Sequence, residues 1–329
     1  MRVAMIEVGH WHAALHLRSM QLAGAQIAAV SDHQPGVAEH FAARLGCPVF
    51  EDYTVMLKET RPDFVVALGR HADMPAIARD LLETRLPFAI EKPIGVSADQ
   101  VAPLVEIARK QKSFVAVPFA NRYCTLWTEL DRLEQAGRVG VRSHAHFRVI
   151  NGPPQRYEND NVAWMLDPAI SGGGCLRNLG IHTADAFLRY VGGEEVEVLS
   201  AAISYRVYGK AVEEMGAALL RSQSGIIGTV EAGYSFASMT RGEYEWRVAA
   251  ENCYLVEREG VLRSATLDDG RVVDIPIPAQ AARYDRFGAD TLARLQAGQP
   301  PIAGLEDCYR AMRLLDDIYR KAVRTPYHL

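Results

Sequence analysis

The stretch "RVAMIEVGHWHAALHLRSMQLAGAQIAAVSD", residues 2–32, decides the fold. RVAMI is an apolar run of strand length, and the turn after it carries Gly9. HAALHLRSMQLAG repeats apolar residues at helical spacing and closes on Gly24, a residue that can end a helix in the left-handed conformation. AQIAAVSD reads as the next strand and stops on Asp32. The alternation continues through the helix GVAEHFAARLG, the short strand CPVF, the helix YTVMLKET and the buried-type strand DFVVALG. It goes on with the helix MPAIARDLLETR, the strand PFAIEKP, the helix ADQVAPLVEIARKQ and the strand SFVAVPFA. Strands that alternate with helices in this way predict βαβ units around a parallel sheet. The fold expected is α/β, with a doubly wound, nucleotide-binding type of domain over residues 1–121.

Past residue 121 the pattern changes. A helix, CTLWTELDRLEQAG, is followed by VRSHAHFRVI and by a glycine-rich segment with its own helix. Long alternating stretches come next: EVLSAAISYRVYG, MGAALLRSQSGIIGTVEAGYSF, YEWRVAAENCYLVERE and RVVDIPI. They predict a second, α+β domain over 122–329 with a large open, mostly antiparallel sheet. ARYDRFGADTLARLQAG and LEDCYRAMRLLDDIYRKAV read as two closing helices, with room to pack back on the first domain. An open sheet needs its outer face covered, so a homodimer or homotetramer through that sheet is expected.

Hydrophobic residues make up 49% and charged residues 23%, an ordinary globular balance. A formal net charge of -4 gives no basic face for a nucleic acid. The five cysteines, Cys47, Cys124, Cys175, Cys253 and Cys308, are scattered without a C-x-x-C pair. They indicate neither a zinc site nor a disulfide framework. No apolar run reaches the roughly 18 residues of a membrane helix. The N-terminus reads as a strand and not as a signal peptide. A soluble, cytoplasmic protein with reduced thiols is the expectation, with no membrane and no nucleic acid among its partners.

Two motifs carry the chemistry. "EKP", Glu91-Lys92-Pro93, follows the fifth strand, and "GGGCLRNLGIHTAD" spans residues 172–185. In the second, Asn178, His182 and Asp185 fall on one face of a helix. Glycines before that helix let backbone come close to something. Together with the N-terminal βαβ domain, these motifs resemble the Gfo/Idh/MocA family, the relatives of glucose–fructose oxidoreductase and inositol dehydrogenase. DYTVML, RPDFVVA, FGADTLARLQAGQPP and AMRLLDDIYRKAV extend the resemblance over nearly the whole chain.

The resemblance implies an NAD(P)-dependent oxidoreductase. It would transfer a hydride between a nicotinamide cofactor and a sugar, polyol or related hydroxy compound, at the junction of the two domains. It also implies catalytic roles for Lys92, His182 and Asn178, with Asp185 in support. A histidine titrates near neutrality and suits removal of the hydroxyl proton. A lysine beside an oxidised nicotinamide would have its cation disfavoured and could orient the hydroxyl. Asn121, Arg122, Trp164 and Arg177 fall where relatives line the substrate pocket, along with Lys92, Asn178 and His182. Packing is the plainer reading of the first four.

The dinucleotide loop departs from the family pattern. Relatives read G-x-G-x-x-G or G-x-G-x-x-A, whereas this chain reads Glu7-Val8-Gly9-His10-Trp11-His12 and keeps only the central glycine. Glu7 sets a negative charge near a phosphate site unless it points away. His10 and His12 at a helix start are disfavoured as cations by the helix dipole, which a bound pyrophosphate would relieve. The cofactor contacts expected are Gly9, His10, Trp11, His12, Asp32, Gly69, Arg70, His71, Glu91 and Lys92. Asp32 would accept from a ribose 2′-hydroxyl and repel a 2′-phosphate, which favours NAD over NADP. No metal is expected, although His12 and His16 at i, i+4 spacing form a weaker alternative as a metal pair. The rival readings are a non-catalytic ligand sensor, and redox-neutral, NAD-assisted chemistry at a glycosidic bond.

Overall fold

A computed structural model of the chain describes residues 1–235 and 242–326. The elements run β1 (Arg2–Ile6), α1 (Ala13–Leu22), β2 (Gln26–Ser31), α2 (Val37–Ala42), β3 (Val49–Phe50), α3 (Tyr53–Thr60), β4 (Phe64–Ala67), α4 (Met74–Thr84), β5 (Phe88–Ile90), α5 (Ala98–Gln111) and β6 (Val115–Ala116). They continue with α6 (Thr125–Gln135), β7 (Arg142–Ile150), α7 (Gln155–Asn159), α8 (Pro168–Ser171), a π-helical turn (Leu176–Gly180), α9 (Ile181–Tyr190), β8 (Val196–Ser204), β9 (Met215–Ser222) and β10 (Ile227–Gly233). The chain closes with β11 (Glu243–Ala250), β12 (Cys253–Arg258), β13 (Val261–Thr266), β14 (Val272–Pro276), α10 (Gln280–Gln296), α11 (Leu305–Lys321) and β15 (Val323–Thr325). Two compact units result: Met1–Ala120 with Gln280–Tyr309, and Asn121–Ala279 with Arg310–Leu329.

In the first unit six parallel strands lie in the order β3-β2-β1-β4-β5-β6. Val3–Ile6 of β1 and Phe64–Ala67 of β4 are fully buried, which is why these strands read as continuous apolar runs. The chain winds to one side of β1 through β2 and β3, then returns to its other side through β4. That reversal leaves a crevice at the carboxyl ends of β1 and β4, where doubly wound sheets bind ligands. The loops after β1, β4 and β5 carry Glu7–His12, Gly69–His71 and Glu91–Lys92 along that edge. α10 returns to this unit, and the Ser19 hydroxyl of α1 donates to the Tyr284 carbonyl at 2.6 Å.

The second unit holds a nine-stranded sheet in the order β14-β13-β12-β11-β7-β10-β9-β8-β15. It is mostly antiparallel, with β7–β10 and β8–β15 the parallel pairs. Two of the long expected strands fold back on themselves. YEWRVAAENCYLVERE turns at Glu251–Asn252 into β11 and β12. The stretch from Met215 turns after Ser222 into β9 and β10, and Phe236, its expected end, lies outside the described residues. β13 and β15 were not expected from the pattern. Phe147, Val230, Trp246 and Leu255 point into the core. On the opposite face the register aligns Glu231, Arg148, Glu245 and Arg258 across four strands, a row of alternating charge.

The glycine-rich segment owes its composition to packing within this unit. A Cβ on Gly174 would sit 2.1 Å from the Glu213 carbonyl oxygen. Gly173 has a φ of +144°, and its Cβ would sit 2.3 Å from the Tyr319 hydroxyl. The buried Glu213 carboxylate accepts from Gly174 N at 2.8 Å, Leu176 N at 3.0 Å and the Tyr319 hydroxyl at 2.7 Å. The close approach that these glycines permit is thus to the segment before β9 and to α11. Gly174→Ala should lower stability by roughly 2–3 kcal/mol, because a backbone oxygen cannot swing aside. Thermal unfolding measures this, and a midpoint equal to wild type would refute the assignment.

Candidate active site

Within the first unit, Glu7 occupies the place of the missing first glycine and takes a left-handed φ of +58°. Its carboxylate turns to His33, accepting from the backbone N–H at 3.2 Å and meeting Nδ1 at 2.5 Å. Burial, then the charge of Asp32, pushes the Glu7 carboxyl above its usual range. Glu7, Asp32 and His33 form the one group among the described residues whose potential ligand atoms lie within 4.8 Å of one another. The short Glu7–His33 contact binds two of them as a hydrogen-bonded pair.

Gly9 is exposed, and its amide donates to Asp32 Oδ2 at 2.7 Å. A Cβ there would lie 2.9 Å from that oxygen and 3.0 Å from Val37 Cγ1, so a larger residue would have to displace the Asp32 carboxylate. The other Asp32 oxygen accepts from Gln34 N at 2.9 Å. Asp32 therefore holds the loop to the end of β2, a role that the sequence reading did not anticipate.

The centre of this region is Glu91, only 2% exposed. Its Oε1 accepts from His12 Nδ1 at 2.9 Å and from His16 Nε2 at 2.8 Å, and its Oε2 from Lys92 N at 3.0 Å. Burial alone would raise this carboxyl. The His12 charge and bond, with those of His16, outweigh burial and hold it well below its usual value. The alternative of an ion between His12 and His16 meets a carboxylate there instead, the third partner that the sequence did not reveal. The Tyr284 hydroxyl lies 3.2 Å from His12 Nδ1 and encloses the cluster from α10.

Lys92 is 3% exposed, and burial lowers its pKa against the opposing pull of Glu91. The protein itself thus supplies the depression expected from a cofactor. His10 is buried, stacks on Trp11 at 3.8 Å, and accepts the His12 backbone N–H on Nδ1 at 3.1 Å. Burial lowers His10 strongly and His12 as well. After β4, Gly69 takes a φ of +142°, Arg70 pairs with Asp73 at 2.6 Å near the surface, and His71 is buried.

In the second unit the expected residues divide. Asn178, in the π-turn, donates its amide to the Tyr157 hydroxyl at 2.8 Å and the Tyr234 hydroxyl at 3.1 Å. Burial raises the Tyr157 phenol to about 12 and lifts the Tyr234 phenol well above its ordinary value, so both stay protonated. His182, one turn on in α9, is half-buried. Asp185 is bonded by Arg122 through Nε at 3.0 Å and Nη2 at 2.5 Å. Arg177 pairs with Asp316 at 2.5 Å and lies 5.2 Å over the Tyr319 ring. Arg122 and Arg177 therefore brace the helix by ion pairs. Asn121 and Trp164 are half-buried in 3₁₀ turns. The π-turn is invisible to a 3.6-residue pattern, and such turns recur at functional sites.

Comparison with known proteins agrees with this architecture. Residues 1–119 match the model of an oxidoreductase family with an NAD-binding Rossmann fold, and residues 127–255 match the GFO/IDH/MocA C-terminal domain. The chain belongs to the Gfo/Idh/MocA family and is an NAD(P)-dependent oxidoreductase. It is 26% identical over 298 residues to dTDP-3,4-didehydro-2,6-dideoxy-alpha-D-glucose 3-reductase of Saccharopolyspora spinosa, covering 86% of this chain and 85% of that one. It is 26% identical over 325 residues to inositol 2-dehydrogenase of Rubrobacter xylanophilus, covering 89% of each. Levoglucosan dehydrogenase, solved with NADH and levoglucosan, superposes with a TM-score of 0.87 at 15% identity, over 98% of this chain and 96% of that one.

His10, His12 and Glu91 all bind protons less readily in the fold than in the open chain. Their stabilisation is therefore present above the unfolded pKa and lost as pH falls through the folded one. The unfolding midpoint of the cofactor-free protein should drop as pH falls from about 6.5, the ordinary imidazole value, toward the carboxylate range. A midpoint that stays flat or rises over that window would contradict these directions.

Proposed function

We propose that the protein is a dehydrogenase of sugars, polyols or related hydroxy compounds that uses NAD in preference to NADP. The observation that carries this reading is Lys92, a buried lysine with a lowered pKa, next to Glu91 on the carboxyl edge of a Rossmann sheet. The loop after β1 suits a dinucleotide: Gly9 is exposed, and Glu7 is drawn aside to His33. Bound nicotinamide supplies a hydride acceptor. His182 takes the proton of the substrate hydroxyl as general base. Lys92 orients that hydroxyl, and burial makes its ammonium a readier proton donor than that of a free lysine. Asn178 acts by fixing the π-turn against Tyr157 and Tyr234.

Glu7 and Asp32 place two carboxyl groups at the ends of β1 and β2, which disfavours a 2′-phosphate and supports NAD. The outer face of the nine-stranded sheet, with Ile227 and Tyr254 exposed beside its charged row, supports assembly as a homodimer or homotetramer. The described residues contain no helix long and apolar enough to cross a membrane. The five free thiols, four of them buried, fit a cytoplasmic setting.

Two measurements test this reading. Calorimetric titration should give micromolar NAD binding and much weaker NADP binding; equal affinities would remove the carboxylate argument. With a substrate found by screening sugars and polyols, His182→Ala should cost roughly 10²–10⁴ in kcat. Full turnover in that variant would exclude the acid/base role.

A further inference from the structure

In a glycine loop, backbone N–H groups at the helix start normally meet the pyrophosphate. Here four of those donors, on Gly9, His10, His12 and Ala13, are already engaged. Gly9 N binds Asp32, His10 N binds the Glu7 carbonyl, and His12 N binds His10 Nδ1. Ala13 N binds the His10 carbonyl. Two imidazoles, His10 and His12, stand on the same turn.

The same bonds fix the tautomers. His10 accepts on Nδ1, so its neutral ring carries the proton on Nε2 and is a donor without any charge. His12 donates from Nδ1 to the Glu91 carboxylate, so its neutral ring leaves a lone pair on Nε2. That nitrogen becomes a donor only when the ring is protonated, and Glu91 lies behind it to stabilise the cation. The rings stand next to each other, 5.2 Å between centroids, and the His12 side chain is 19% exposed.

We propose that His10 and His12 replace the loop amides as the pyrophosphate grip, each through Nε2, and that His12 takes up a proton from solvent as the dinucleotide binds. The inference rests on the reading that this loop binds NAD. The charged and titratable groups that face the pair are Glu91 and Lys92 from the end of β5, and His71 from the loop after β4. His16 from α1 and Tyr284 from α10 complete them. Without ligand, burial keeps both rings neutral, and Lys92 and His71 oppose a further cation. The two negative charges of a pyrophosphate reverse that balance, and the grip needs no glycine at position 12.

Titration calorimetry with NAD at about pH 7, in buffers of different ionisation enthalpy, reads the proton directly. Wild type should show net uptake, and its Kd should tighten as pH is lowered. H12Q should lose the uptake and bind roughly ten- to a hundredfold more weakly. H10A should weaken binding to a similar degree while keeping the uptake. NAD binding by wild type without uptake overturns the proposal, and that experiment needs no variant. Uptake that persists in H12Q, or a wild-type Kd in either variant, also overturns it. Absence of NAD binding by folded wild-type protein overturns the dehydrogenase reading as well, which separates the two failures.

Discussion

The first unit is organised by one buried carboxylate. Glu91 sits at the end of β5, almost wholly removed from water, where an unpaired charge would be severely destabilising. Two imidazole N–H groups and a backbone amide satisfy it. Those bonds join the first two turns of α1 to the carboxyl edge of the sheet and fix the ring orientation of His12. Lys92 follows in the chain, where burial disfavours its ammonium against the opposing pull of Glu91. The tautomer of His12 and the position of α1 therefore depend on the same group.

A second buried carboxylate plays the corresponding part in the other unit. Glu213 collects Gly174 N, Leu176 N and the Tyr319 hydroxyl, and so holds the entry to the π-turn and α9. Burial outweighs these bonds and raises its pKa. The turn that follows presents His182 half-buried, flanked by Asn178 on its tyrosine pair and Asp185 on Arg122. The polar row read from the sequence is thus one half-buried histidine between two bracing residues.

Much of the fold was legible because strand and helix periods alternate cleanly through the first 121 residues. Val3–Ile6 and Phe64–Val66 could only be buried strands. The second sheet was legible in type but not in strand count, since the Glu251–Asn252 turn carries neither glycine nor proline. The π-turn was hidden because its period differs from that of the helix it feeds. The candidate site residues stand out as motifs in the sequence, but their partners do not. Glu91 with His16, Asn178 with Tyr234 and Arg177 with Asp316 meet across long stretches of chain, and no local spacing encodes such contacts. Asp32, read as the acidic end of the second strand, lies just past β2 and holds Gly9.

In the proposed grip, His12 held by Glu91 and His10 held by the His12 N–H stand in for the glycine loop. A crystal structure of the protein with NAD tests that claim most directly. Phosphate oxygens within hydrogen-bond distance of Nε2 of both His10 and His12, with His12 Nδ1 still on Glu91, would bear it out. A pyrophosphate seated on backbone amides, with both rings turned away, would contradict it.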